Sequence, residues 1–152
     1  MGTVITESPP MAETTTLAAA LPHMLPACPH ARIALFAIRR MGAHGLADAR
    51  ASHTLFTMFG QDFRRPLILM RTFMADLAAH ASGQIAIAPC CCARMTAAEA
   101  ALMTILSQME TAPQKAHFLM TDLLGIRRVD SVLTSAAAVA AAFADEGRPI
   151  SY

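Results

Sequence analysis

Apolar side chains recur every three or four residues along most of this chain, and glycine or proline bounds nearly every such segment. This spacing places the apolar residues on one face of an α-helix, whereas a half-buried strand would alternate apolar and polar residues. We found no convincing alternation, and the sequence therefore predicts an all-α fold, a single compact bundle of about six helices with an N-terminal arm. The predicted helices are 31–41, 47–59, 63–81, one from Thr96 to about Met109, 113–124, and one that Asp130 or Ser131 caps.

Several of these helices carry start and stop signals. The clearest is Thr96-Ala97-Ala98-Glu99, a capping box in which the threonine hydroxyl and the glutamate carboxylate bind each other's free amides. Asp62 is a predicted cap for the helix that follows it, with Pro66 tolerated in the first turn. Gly60 and Gly125 are predicted helix ends. The apolar run 85–88 lies between two predicted helices and is itself of undecided secondary structure.

The first part of the chain differs from the rest. Residues 1–16 are polar, rich in threonine and contain Pro9-Pro10, which predicts a disordered leader, and Met11 is an alternative start. Residues 17–29 carry Pro22, Pro26 and Pro29, a spacing that prevents a continuous helix and favours an extended arm across the domain. The predicted organisation is thus a leader followed by one α-helical domain over residues 17–150.

Composition limits the classes of function. The chain has 152 residues, enough for one domain with its own core, and a net charge of +1 with neutral histidines. This charge creates no strong field for nucleic acid or an anionic membrane. No basic residue precedes Arg32, so a secretory signal is not expected, and no stretch is apolar enough to span a bilayer. We therefore expect a cytoplasmic protein with no membrane partner, whose cysteines are reduced.

Four stretches of the chain carry a resemblance to a known family. They are LPACPHARIALFAIRRMGAHGLADAR, GQDFRRPLIL, IAIAPCCCARMT and LLGIRRVDSVL. The chain resembles an uncharacterised small proteobacterial family, a domain of unknown function, over roughly Leu17 to Ile150. The resemblance implies an α-helical cytoplasmic protein and carries no functional residue across.

All four cysteines fall in two short segments flanked by prolines, which is typical of loops or helix starts. Cys28 and His30 are two positions apart, and so are Cys90 and Cys92. Residues two apart point to the same side of an extended segment, so the two pairs could supply the four S and N ligands that zinc prefers. The other interpretation is that the cysteines only fill space in a tight loop.

A thiol-redox site is a third interpretation of the same residues. Cys90, Cys91 and Cys92 precede Arg94 and the start of the Thr96 helix, and both features would lower the pKa of a nearby thiol. The chain has no C-x-x-C motif, which argues against thioredoxin-like chemistry.

The C-terminal third suggests a different activity. Residues 113–144 have the lengths and the glycine of a helix-turn-helix, which would make the protein a DNA-binding regulator. However, the second helix offers Ser131, Thr134 and Ser135 followed by alanines, and it lacks the long polar side chains that read base edges. The arginine pairs 39–40, 64–65 and 127–128 could bind an anion or could pair with acidic residues on the surface.

The chain also lacks the common nucleotide-binding, hydrolase and metalloprotease motifs. We expect a non-enzymatic interaction or regulatory module whose partner is another protein or a second copy. DNA binding is the alternative, and a metal or thiol-redox sensor is the third possibility. A bound zinc ion is the one cofactor that the sequence suggests.

Overall fold

The structure, a computed structural model, describes residues 21–152. The predicted leader and the first residues of the arm lie outside this range. The helices are α1 (Pro29–His44), α2 (Ala49–Phe59), α3 (Arg64–His80), α4 (Ala97–Gln108), α5 (Pro113–Leu124) and α6 (Asp130–Asp145), with a 3-10 turn (Gly60–Phe63) between α2 and α3. The prediction of a mostly helical, compact fold is confirmed.

The start of α1 differs from the prediction. Cys28 precedes the helix with an extended backbone, and Pro29 is its first residue, so α1 begins two residues earlier than expected. Proline suits this position because its ring fixes φ and no intrahelical partner is needed for its nitrogen. The helix continues through Gly42 and ends at Gly45, whose φ is 98°. His30 therefore lies in the first turn of α1 and not on the arm, which corrects the sequence interpretation.

Two predicted caps are wrong. Asp62 lies within the 3-10 turn, and α3 begins without a side-chain cap because Phe63 already has helical φ and ψ angles. Asp130 is the first residue of α6 and does not cap it. A side-chain cap requires a non-helical residue before the first turn, as at Asp48, which accepts a hydrogen bond from the Ala51 amide at 2.9 Å. The Thr96–Glu99 capping box is confirmed.

The core lies between three helix pairs. α6 packs most extensively on α3, α4 packs on α5, and α1 packs on α2. Phe73 and Phe143 are fully buried, and the ring of Phe143 meets Phe59 edge to face at 4.9 Å. Fully buried methionines fill much of the remaining space, at positions 70, 95, 103 and 120. Each such side chain contributes about 1.5–3 kcal/mol of burial, so the core does not depend on disulfides.

The sequence did not predict a small strand pair. Strands β1 (His23–Met24) and β2 (Arg94–Met95) are antiparallel, with His23 opposite Met95 and Met24 opposite Arg94. Two residues are too few to show an alternating pattern. The pair attaches the non-helical arm to the segment just before α4, so the arm lies beside the second cysteine segment.

Candidate functional site

The second cysteine segment forms a tight turn, here called the cysteine turn (residues 89–92). The amide of Cys92 donates to the carbonyl of Pro89 at 3.0 Å. Cys91 is exposed, whereas Cys90 and Cys92 are half-buried. All four cysteines of the chain are free thiols. The turn therefore presents one accessible thiol with two more thiols beside it.

Arg39 holds the end of this turn. Its guanidinium, 3% exposed, donates to both carboxylate oxygens of the fully buried Glu99 at 2.8 and 2.9 Å. The same group donates to the carbonyl of Cys92 at 2.9 Å and to that of Arg94 at 2.7 Å. Burial opposes the charge of Arg39, but the contact with Glu99 outweighs it and raises the pKa of Arg39. One buried side chain of α1 thus fixes the path of the segment from the turn to β2.

Glu99 completes this arrangement from α4. Its carboxylate accepts hydrogen bonds from the amides of Thr96 and Ala88, both at 2.9 Å, in addition to those from Arg39. The hydroxyl of Thr96 donates to the carbonyl of Ala86 at 2.7 Å. The capping box therefore also fixes residues 86–88, a role that its local sequence pattern does not reveal.

A groove of about 730 Å³ lies beside the cysteine turn. One wall is the C-terminal end of α1, from Arg40 to His44, and the other is the segment 84–91. Residues 84–88 run without a turn or bend and carry the half-buried side chains of Ile85 and Ile87. Gly42 lies close to Ile87, since a Cβ atom at this glycine would be in van der Waals contact with the Ile87 side chain at 3.7 Å. The groove is thus mostly apolar, with polar groups towards the cysteine turn.

Arg40 is the main charged group of the groove. It donates to Asp48 through Nε at 3.0 Å and through Nη2 at 2.7 Å. The Arg40 hydrogen bond holds the pKa of Asp48 at about 2, although burial opposes this shift. Hydrogen bonding to Asp48 also raises the pKa of Arg40, and the neighbouring sulfur of Cys90 contributes to the increase. Arg40 therefore connects the Asp48 cap of α2 with the cysteine turn.

Cys28 and His30 have different surroundings from the cysteine turn. The thiol of Cys28 lies 3.8 Å from the carbonyl of Pro149, and Nδ1 of His30 lies 3.3 Å from the same oxygen. Burial raises the pKa of Cys28, but hydrogen bonds from the amides of Ala31, Ser151 and His30 outweigh it, so the pKa is lowered overall. Both side chains thus face the C-terminal segment.

The structure brings the predicted zinc ligands together only in part. Cys90 and Cys92 line one small cavity of about 110 Å³, together with Arg39 and with Leu25 from the arm. Within residues 21–152, no group of three or more histidine, cysteine or acidic side chains is arranged to hold a metal ion. Zinc binding by Cys28, His30, Cys90 and Cys92 stays a prediction.

The predicted redox residues also separate into two groups. Arg94 donates to the carbonyls of Leu21 and Pro22, each at 2.7 Å, so its guanidinium is bound to the arm. The arginines next to the cysteine turn are Arg39 and Arg40, for which the sequence left open anion binding or pairing with acidic residues. Each pairs with an acidic residue in the structure, Arg39 with Glu99 and Arg40 with Asp48. The helical spacing could have identified Arg39 as a buried residue, because it lies four residues after Leu35 on the buried face of α1.

The predicted helix-turn-helix has the expected connection but a different environment. α5 ends at Gly125 in the left-handed conformation, and α6 follows from Asp130. The buried face of α6 packs on α3, and the polar residues at its exposed N-terminal end are Asp130, Ser131 and Thr134. Arg127 and Arg128 are exposed in the connection. The basic side chains therefore lie outside the second helix.

The fold and the site define a small α-helical protein with a cysteine turn next to an open groove. The chain belongs to the family of unknown function DUF6628, whose sequence model matches residues 11–147. No curated protein and no solved structure matches the chain. None of the helices over residues 21–152 has the length and apolar character needed to cross a membrane.

Proposed function

We propose that the protein is a non-enzymatic regulatory or interaction module that binds an extended peptide segment of a partner protein in the groove. The observation that supports this proposal is the unpaired backbone of residues 85 and 87. Ala86 and Ala88 use main-chain groups to bind Thr96 and Glu99. Successive residues of an extended chain direct their main-chain groups to opposite sides, so those of Ile85 and Ile87 point away from α4.

The main-chain groups of Ile85 and Ile87 form no hydrogen bond with any described residue. Both residues line the groove. An exposed extended segment with free amides and carbonyls is a template for pairing with another strand. The partner segment would add as a strand, with small apolar side chains at alternate positions that pack on the two isoleucines.

The proposed setting is the cytoplasm of a bacterium. Four free thiols are consistent with a reducing compartment, where structural disulfides are rare. The partner is a protein and not a membrane. Self-association would be the same interaction with a second copy supplying the extended segment.

A peptide library displayed on phage tests this proposal, with the full-length protein as bait. We expect enrichment of extended peptides with alternating apolar residues, and slower amide hydrogen exchange at Ile85 and Ile87 when such a peptide is bound. Gly42→Leu should weaken binding about tenfold or more, because a side chain at this position fills the groove. Ala79→Leu places the same side chain on an exposed surface of α3 and is the control.

Two results would contradict the proposal. Equal affinity of the Gly42→Leu variant and the wild type would exclude the groove as the binding site. Protection of an exposed helix face, without protection of residues 85 and 87, would replace strand addition by a helix-mediated contact.

DNA binding through residues 113–144 is the second candidate. The left-handed Gly125 between α5 and α6 and the exposed Arg127 and Arg128 favour it. DNA binding has less support than peptide binding, because α6 would have to enter the major groove of DNA, whereas its buried face packs on α3.

A further inference from the structure

We propose that Cys91 is a thiol-modification site, which forms a mixed disulfide with a small peptide disulfide of the glutathione class and thereby closes the groove. This inference deepens the proposed function and relies on it only for the consequence of the modification. The first observation is the position of the thiols. Cys90 and Cys91 both line the groove, and Cys91 is the exposed one of the three adjacent cysteines.

The neighbouring thiols differ from Cys91 in their surroundings. Cys92 is half-buried, and burial followed by the proximity of Cys91 raises its pKa, which keeps it protonated. Cys90 lies beside the Arg40 guanidinium and also lines the small cavity on the other side of the turn. Only the thiolate is nucleophilic and an incoming disulfide must reach it, so accessibility assigns the reaction to Cys91.

The groove also suits the rest of such a ligand. Nε and Nη2 of Arg40 are bound to Asp48, and the guanidinium also forms a hydrogen bond with Cys90, so it places a positive charge beside the cysteine turn that can attract a carboxylate. His44 lies on the same wall. The free main-chain groups of Ile85 and Ile87 match the amides of a short peptide. A ligand with carboxylates, amides and a disulfide therefore finds a partner for each group within one groove.

The chemistry is a single thiol–disulfide exchange. The Cys91 thiolate attacks one sulfur of the ligand disulfide, the Cys91–ligand bond forms, and the ligand's own S–S bond breaks. The second half of the ligand leaves as a thiolate and takes up the proton that Cys91 lost. The ligand disulfide is the oxidant, so no other reactant is needed. The attached peptide then occupies the space that a partner segment would use.

Incubation of the full-length protein with oxidised glutathione tests the inference. Intact-mass spectrometry should show one glutathione per chain, and peptide mapping should place it on Cys91. Cys91→Ser should abolish the adduct and Cys28→Ser should retain it. Cys28 is the matched control because it is a half-buried thiol with a lowered pKa at a helix start, away from the groove. Circular dichroism of both variants checks that they fold.

Recognition by the groove has its own measurement. Cys91 should react about tenfold faster with oxidised glutathione than with bis(2-hydroxyethyl) disulfide, since one charge-assisted hydrogen bond contributes about this factor. An adduct mainly on Cys28 or Cys90, equal rates with the two disulfides, or an internal disulfide that retains no glutathione would overturn the inference. Modification of Cys91 in a protein that binds no peptide would instead contradict only the proposed function.

Discussion

At the scale of single residues, Glu99 shows which contacts can be predicted from the sequence and which cannot. Its capping box with Thr96 is a local pattern of four residues, and the sequence predicted it correctly. Its pairing with Arg39 joins positions 60 residues apart, and no local pattern encodes such a contact. Glu99 therefore accepts hydrogen bonds from Arg39, Thr96 and Ala88, and a residue expected only to start a helix positions the cysteine turn.

Removal of the Glu99 side chain should strongly lower the free energy of unfolding. In Glu99→Ala the Arg39 guanidinium stays buried without its counter-charge, and loss of one partner of a buried ion pair costs about 3–5 kcal/mol. Asp145→Ala is the control, since Arg65 and Asp145 also form an arginine–carboxylate pair, through one hydrogen bond of 2.7 Å, but are 55% and 56% exposed. Exposed pairs contribute about 1 kcal/mol or less. Urea unfolding measures both, and equal losses would contradict a special role for Glu99.

At the scale of elements, the sequence predicted helices better than their ends. The 3.6-residue period identified five of the helices α1 to α6, and Pro113 and Gly125 identified α5. Asp62 and Asp130 were wrongly assigned as caps because their type is common there. Whether an aspartate caps a helix depends on backbone angles that tertiary packing sets. Gly125 was assigned correctly, because a left-handed residue after a helix is almost always glycine.

The turn at Gly125 gives an element-scale prediction. Gly125 has φ of 66°, and a Cβ atom there would overlap Oγ of Ser82, which donates to the Leu124 carbonyl at 2.7 Å. Gly125→Ala should lower the free energy of unfolding by more than the about 1–2 kcal/mol that left-handed strain alone costs an L-residue.

Two other glycines separate the causes. Gly147 has φ of 69° at the end of α6 and no atom within 4 Å of an added Cβ, so Gly147→Ala should show the strain without the overlap. Gly83 has open space and no positive φ, so Gly83→Ala should be close to neutral. Thermal unfolding of the three variants should rank their losses as 125, then 147, then 83. A Gly125→Ala loss no larger than that of Gly147→Ala would show that Ser82 moves freely.

At the scale of the whole molecule, the groove combines parts that are distant in sequence. Its walls come from the end of α1 and from residues 84–91, which are about 40 positions apart. The sequence identified the cysteines and the apolar run at 85–88 separately, but their relation to Arg40 depends on how α1 and α4 pack. The prolines of the arm predict an extended conformation, but no sequence pattern predicts that the arm pairs with β2.

The charge of the molecule yields the last prediction, which concerns DNA. A net charge of +1 provides little attraction for a polyanion, and Arg127 and Arg128 are the exposed basic residues of the α5–α6 connection. Two phosphate contacts would give a slope of about −2 in a plot of log affinity against log salt, far from that of a specific regulator. We expect duplex binding no tighter than the non-specific range, about 10⁻⁴ to 10⁻⁶ M, and no footprint.

Fluorescence anisotropy with a labelled duplex at several salt concentrations measures that slope. Footprinting on the DNA that flanks the gene of this protein tests specificity. Arg127→Ala with Arg128→Ala should change little, and the control is Arg64→Ala with Arg65→Ala, which removes another exposed arginine pair. A footprint that the 127–128 variant loses and the 64–65 variant keeps would contradict the prediction. Because both variants lose two positive charges, such a difference would locate recognition at the α5–α6 connection and would favour the DNA-binding regulator over the peptide groove.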